Sequence, residues 1–165
     1  ITALVYPGVG LIEGIPANEG RGTDTPFLQL GAPWVNGKRL AETMTAARLP
    51  GVTFAAVEYV PRPLKGVANE PKFQGESVRG IRITVSDHNA YRPVETGMHF
   101  LRAMSGEARA GGTRLFDNAA MFDRLAGTRR LRTLLEQGAS ADEIIAAWKG
   151  EVEAFRKTRK KYLIY

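Results

Sequence analysis

Between positions 13 and 24 the sequence reads EGIPANEGRGTD, and this stretch concentrates the side chains able to do chemistry. It holds carboxylates at Glu13, Glu19 and Asp24, the Arg21 guanidinium, the Asn18 amide and the Thr23 hydroxyl, set among Gly14, Gly20 and Gly22. Glycoside cleavage uses two carboxyl groups flanking the scissile bond, with hydrogen-bonding groups that fix the sugar hydroxyls. A guanidinium suits a substrate that carries its own carboxylate. Gln74, His88 and Asn89 are further hydrogen-bonding candidates from elsewhere in the chain. The same loop has a second reading, in which the glycines only satisfy unusual backbone angles and an Arg21–Asp24 salt bridge locks the turn.

Other chemistries find less support. The sequence has no phosphate-binding loop, no dinucleotide glycine fingerprint, no HExxH and no GxSxG elbow. Two histidines, His88 and His99, cannot make a three-histidine metal site, so neither a metal nor another cofactor is expected. Asp87 and His88 lack a serine elbow to complete a triad. The absence of cysteine excludes disulfides, thiolate zinc sites and cysteine nucleophiles.

The net charge of +6 is a local feature. Arg156, Lys157, Arg159, Lys160 and Lys161 supply five positive charges, and removing them from the 23 basic residues leaves 18 against 17 acidic ones. Nucleic-acid binders spread their cations over a face or groove, so no nucleic-acid partner is expected. No apolar run reaches the ~20 residues of a membrane helix, and no membrane span is expected.

The elements that must position these groups follow from pattern. Residues 3–12 read as a strand interrupted by Pro7 and Gly8, leading into the 13–24 loop. A chain that opens on a strand without a methionine or a basic leader reads as a fragment or processed product rather than one with a signal peptide. Gly31 to Trp34 is turn-rich, and Trp34 is either a sugar-stacking platform or a core tryptophan. Asn36 caps a helix with Leu40, Met44 and Ala47 inward, stopped by Pro50 and Gly51. Residues 52–60 read as a strand and residues 61–77 as a long loop. Residues 80–86 alternate, with Ile81, Ile83 and Val85 on one face. After the polar run SDHNAYRP, Pro93 opens a helix with Val94, Met98, Leu101 and Met104 on one side and His99, a partly covered surface histidine, beside them.

Three short-range helix patterns follow Gly111. Asp117 or Asn118 caps the first, with Met121, Phe122 and Leu125 inward and Gly127 closing it. Thr128 caps the second, with Leu131, Leu134 and Leu135 inward, closed by Gly138. Ser140 and Glu143 form a capping box for the third, whose Ile144, Trp148, Val152 and Phe155 make a buried face. The terminal YLIY is apolar enough to dock as a strand or plug. Because strands and helices do not alternate, the expected class is α+β: one domain, a small mixed or antiparallel sheet, and a helical C-terminal half.

The runs YPGVGLIEG, IPANEGRGTDTPF, GAPWVN, LPGVTF, KFQGESVRGIRITVSD, YRPVETG, FDRLAGTRRLR and RKKYLIY cover essentially the whole chain. Together they resemble the C-terminal domain of bacterial exo-β-N-acetylmuramidases, a group long carried as a domain of unknown function. The resemblance implies a two-domain parent whose N-terminal, Rossmann-type domain carries the catalytic carboxylate, while the present domain closes the cleft. The implied reaction is hydrolytic removal of a non-reducing-end N-acetylmuramic acid from peptidoglycan fragments during cell-wall recycling, with an exported or periplasmic location favoured. Its implied partners are that N-terminal domain and a peptidoglycan-derived sugar. By motif, Glu19, Arg21, Gly22, Thr23 and Asp24 match the family's first loop and Gln74 with Gly75 its second, and the lactyl carboxylate of muramic acid would engage Arg21. His88 and Asn89 fall where the family varies. Without the N-terminal part the chain is expected not to turn over substrate. The alternative is a non-catalytic module that binds peptidoglycan sugars or another domain.

Overall fold

Alternation of Ile81, Ile83 and Val85 with Arg82 and Thr84 gives one strand a face to bury, and the sheet forms around that strand. In the computed structural model, which describes residues 1–164, β1 (Gln29–Ala32), β2 (Val52–Tyr59) and β3 (Val78–Val85) make an antiparallel sheet of order β1-β3-β2. The register sets Leu30 and Ala56 opposite Ile81, and Phe54 opposite Ile83. Cross-strand partners share a face, on which Leu30, Ile81 and Ile83 are buried and Phe54 packs against the core, while Ala56 is exposed.

The helix α2 (Gly37–Ala46) links β1 to β2 and packs on both β2 and β3. Its Asn36 cap accepts from the Arg39 amide, and Leu40 and Met44 are buried. Gly31, Gly37 and Gly80 meet where α2 starts. A Cβ on Gly80 would run into the Leu30 carbonyl, and one on Gly37 would stand 2.9 Å from the Gly80 amide nitrogen. The strand and helix backbones therefore touch directly, which only glycine permits.

Four helices follow the sheet: α3 (Pro93–Ala110), α4 (Ala119–Ala126), α5 (Arg130–Glu136) and α6 (Ala141–Lys160). Most of their boundaries follow the expected signals, but α5 is capped at Arg129 rather than at the expected Thr128, without a side-chain cap bond. Asn118 accepts from the Met121 amide, Gly127 ends α4 at φ 69°, the Thr128 hydroxyl accepts from the Arg130 amide, and Ser140 with Glu143 forms the capping box. Met98, Leu101 and Met104 of α3 are buried with Phe122, Leu131, Leu135 and Ile144. The class is α+β. Among the described residues no helix is long and apolar enough to cross a membrane.

The expected strand at residues 3–12 is instead a helix, α1 (Thr2–Val9), followed by a 3-10 helix, Gly10–Gly14. Pro7 sits inside α1. What favours the helix is its partner: α1 lies on α3, with the Gly8 backbone against Pro93 and Gly97 and no room for a Cβ on Gly8 or Gly97. Tertiary packing thus overrides local preference, as it commonly does for short apolar segments. β1 was not expected, since four fully buried residues show no alternation. Val94 and Leu125 are exposed, and so are Val152 and Phe155, because α6 leaves the body of the domain after Trp148. Tyr162, Leu163 and Ile164 are exposed rather than docked, and Tyr165 lies outside the described residues.

Candidate functional site

The chain reaches the loop from the 3-10 helix and leaves it into β1. Asn18 ties the loop to the sheet, its amide donating to the Gly31 carbonyl at 2.7 Å and its carbonyl accepting from the Gly31 amide at 3.0 Å. The fully buried Asn18 side chain then organises the turn. Its Oδ1 accepts from the Gly20 amide (2.7 Å) and the Tyr59 hydroxyl (3.0 Å), and its Nδ2 donates to the Arg21 (3.1 Å) and Lys72 (2.9 Å) carbonyls. An amide side chain has two donors and an acceptor oxygen with two lone pairs, so this set is complete. Gly22, at φ 84°, accepts from the Arg62 amide at 2.9 Å and packs so close to Pro71 that a Cβ would stand 2.7 Å from its ring. The 61–77 loop is thereby laid against the 13–24 loop.

Charge fills the space between the two loops. Arg21 Nε stands 3.0 Å from Glu19 Oε1 and Nη2 3.2 Å from Glu13 Oε2, while the guanidinium lies over the Phe27 ring at 5.1 Å. The Tyr6 hydroxyl donates to Glu13 Oε1 at 3.3 Å, and its ring meets Phe27 edge-on. Lys72 Nζ donates to the Glu13 and Ile15 carbonyls at 2.8 and 2.9 Å, satisfying acceptors at the end of the 3-10 helix. It also stands 3.9 Å from Glu19 Oε2, an oxygen without a hydrogen-bond donor.

Burial dominates the acid–base behaviour here. It pushes the Glu19 carboxyl above the usual range, with Lys72 and Arg21 pulling it part of the way back. Burial likewise lowers the Lys72 ammonium, opposed by Glu19 and Glu13. Burial and then the Glu19 charge hold the Tyr59 phenol protonated well beyond its ordinary range. Two carboxylates and two cations so placed neutralise one another, and their main effect is to fix the loops.

The structure brings Asn18, Glu19, Arg21, Gly22 and Thr23 together. The Thr23 hydroxyl donates to the Gly20 carbonyl at 2.7 Å and accepts from the Thr25 amide at 3.2 Å. Arg21 does lock the loop, but through Glu13 and Glu19; the Arg21–Asp24 salt bridge does not form, and Asp24 is exposed. Gln74 is exposed on the facing loop, two residues from Lys72. His88 is not part of this group. It is exposed just past the far end of β3, whose eight residues span roughly 23 Å. Lys72 and Tyr59 escaped sequence reasoning, since neither stands in a motif and their partners lie far along the chain. Trp34 resolves to packing: half-buried against the core, its indole donates to the Pro16 carbonyl at 3.2 Å. His99 is partly covered and stands 3.8 Å from Asp142.

Two clamped loops with a polar rim stand at one end of the sheet of an α+β domain. The chain belongs to the family described as exo-β-N-acetylmuramidase NamZ, C-terminal, whose model matches residues 4–165. The peptidoglycan β-N-acetylmuramidase NamZ of Bacillus subtilis (strain 168) is 37% identical over 164 residues, covering 99% of this chain and 37% of that protein. Two DUF1343 family proteins of known crystal structure from Bacteroides fragilis NCTC 9343 align over 99% of the chain. One has a TM-score of 0.84 at 22% identity and is covered over 42% of its length; the other has 0.75 at 30% and is covered over 40%. The chain therefore spans well under half the length of the relatives it matches.

Proposed function

We propose that the chain is the cleft-completing domain of a glycoside hydrolase that removes non-reducing-end N-acetylmuramic acid from peptidoglycan fragments. The observation that carries this reading is the end-to-end match to the C-terminal domain of that enzyme family. In this reading a preceding Rossmann-like domain of the same parent supplies the catalytic carboxylate, and the loop rim contacts the sugar. Arg21, Thr23, Asp24 and Gln74 form the rim, while Asn18, Glu19 and Gly22 hold it in shape. Glu13 and Glu19 are committed to Arg21, and Glu19 is buried, which argues for an acid supplied from outside this chain.

Asp24 and Gln74 make the sharper test, because both are exposed and their replacement leaves the clamp intact. In the full-length parent, Asp24→Asn and Gln74→Ala are each expected to lower kcat/KM on a muramic-acid-terminated disaccharide by roughly 10- to 100-fold, with an unchanged melting temperature. Turnover equal to wild type in both would overturn the assignment of this rim to the substrate.

A further inference from the structure

Beyond Trp148, among the described residues, α6 keeps one side-chain tie to the rest of the chain, the exposed Arg130–Glu151 pair at 2.8 Å, and its apolar side chains are uncovered. Every residue from 149 to 164 is exposed, and the helix packs mainly on α3 and α5. The twelve uncovered helical residues extend about 18 Å. Trp148, Val152, Phe155 and Arg159 recur at intervals of four, three and four, which places them on one stripe of α6. Phe155 is 64% exposed, and an open face of about 430 Å³ on α6 is outlined by Trp148, Val152 and Phe155 with Glu151, Arg156 and Arg159 on its border. A helix of this length is marginal in water without tertiary contacts.

We infer that this stripe is a docking surface for the remainder of the same polypeptide, the portion of the parent that precedes this domain. The inference rests on the reading of the chain as one part of a longer hydrolase. The chain aligns over 99% of its length with proteins of which it forms only 37–42%, so most of each relative lies outside the region matched. Area favours the intramolecular partner over a second copy. Two uncovered helices of twelve residues bury less than the ~1,200 Å² at which stable association between separate proteins begins. A tethered domain acts at an effective concentration of order mM, so a small apolar stripe suffices. The surface that fits is an apolar trough bordered by a carboxylate, which would meet Arg159; Arg156 is already paired with Glu153 at 2.7 Å.

Amide hydrogen exchange on the full-length parent and on the isolated chain tests this. Amides 149–160 are expected to exchange at least ~100-fold more slowly in the parent than in the isolated chain. In the parent, the double substitution Val152→Asp with Phe155→Asp should return them to fast exchange while α3 stays protected. This variant carries the comparison if the isolated chain does not fold. Three results overturn the proposal: fast exchange in the wild-type parent, concentration-dependent protection of the isolated chain with a dimer mass in sedimentation, or protection that requires anionic phosphatidylglycerol vesicles. Turnover is measured on the same parent preparation. A protected helix without muramidase activity sinks the proposed function alone, and an active enzyme with an unprotected helix sinks the docking alone.

Discussion

The clamp between the 13–24 and 61–77 loops buries charge, whereas the distal part of α6 exposes hydrocarbon. Each inverts the usual distribution of side chains, and they do so with opposite consequences. In the clamp, Asn18, Arg21 and Lys72 find their partners within the chain, and the loops are fixed. On α6, Val152 and Phe155 stay exposed and join no core cluster among the described residues. Buried polar groups that are matched internally mark a finished piece of structure, while exposed apolar groups in a row mark an unfinished one. Substitutions in the clamp should therefore register in the isolated chain, and those on the α6 stripe should not.

The largest effect is expected at Asn18. Asn18→Asp replaces the Nδ2 donor with a carboxylate oxygen facing the Arg21 and Lys72 carbonyls, in a position with no solvent exposure. Two lost hydrogen bonds and a buried charge should cost about 4 kcal/mol or prevent folding. Urea unfolding measures this, and Asn18→Ala, at roughly 2 kcal/mol, keeps the comparison readable if the aspartate variant does not fold. A loss below 0.5 kcal/mol in both would show that the clamp is not a stabilising unit.

Next is Lys72→Met, which keeps the aliphatic stem but strips the Glu13 and Ile15 carbonyls of their donor and leaves Glu19 with Arg21 alone. About 2 kcal/mol should be lost, together with faster exchange of the amides in the 61–77 loop. Slow, wild-type exchange there would mean that the two loops hold together without the lysine.

The order of these effects also shows what could be read from the sequence. The alternation around Ile81, the Asn36 and Asn118 caps and the Ser140–Glu143 box are local signals, and each element they mark is present. α1 and β1 were hidden because their identity is set at a distance: α1 by glycine contact with α3, β1 by its pairing with β3. The site divides in the same way. The loop's importance follows from its own composition, but Arg21 chose Glu13 and Glu19 over Asp24 because the turn built by Asn18 and Gly20 aims its guanidinium back into the domain. Nothing local to Lys72 or Tyr59 announces their contacts with Asn18 or the 3-10 helix.

Glu19 sharpens the comparison through pH. Its carboxyl is raised by burial, so the folded chain keeps the proton to higher pH than the unfolded chain. The stability tied to that proton is full below the ordinary carboxyl range and is lost as pH rises through the raised value. Glu19→Gln cannot titrate, so its stability relative to wild type should improve as pH rises from the ordinary carboxyl range through the raised value and then level off. Melting temperatures across that range check the slope. A difference that is flat, or that runs the other way, would mean that Arg21 and Lys72 outweigh the desolvation of Glu19.

The smallest expected effect lies at Phe155. In the isolated chain, Phe155→Ser removes a large aromatic side chain that is already 64% exposed and touches no core, so stability should change by less than about 0.5 kcal/mol. A core phenylalanine such as Phe122, which has no exposure, would lose several times more; large-to-small changes there cost about 3–5 kcal/mol. A near-zero result for Phe155 in the isolated chain alongside a clear loss in the full-length parent is what an unfinished surface predicts. An equal loss in both would place Phe155 in contacts made within this domain, and the contrast between clamp and stripe would collapse.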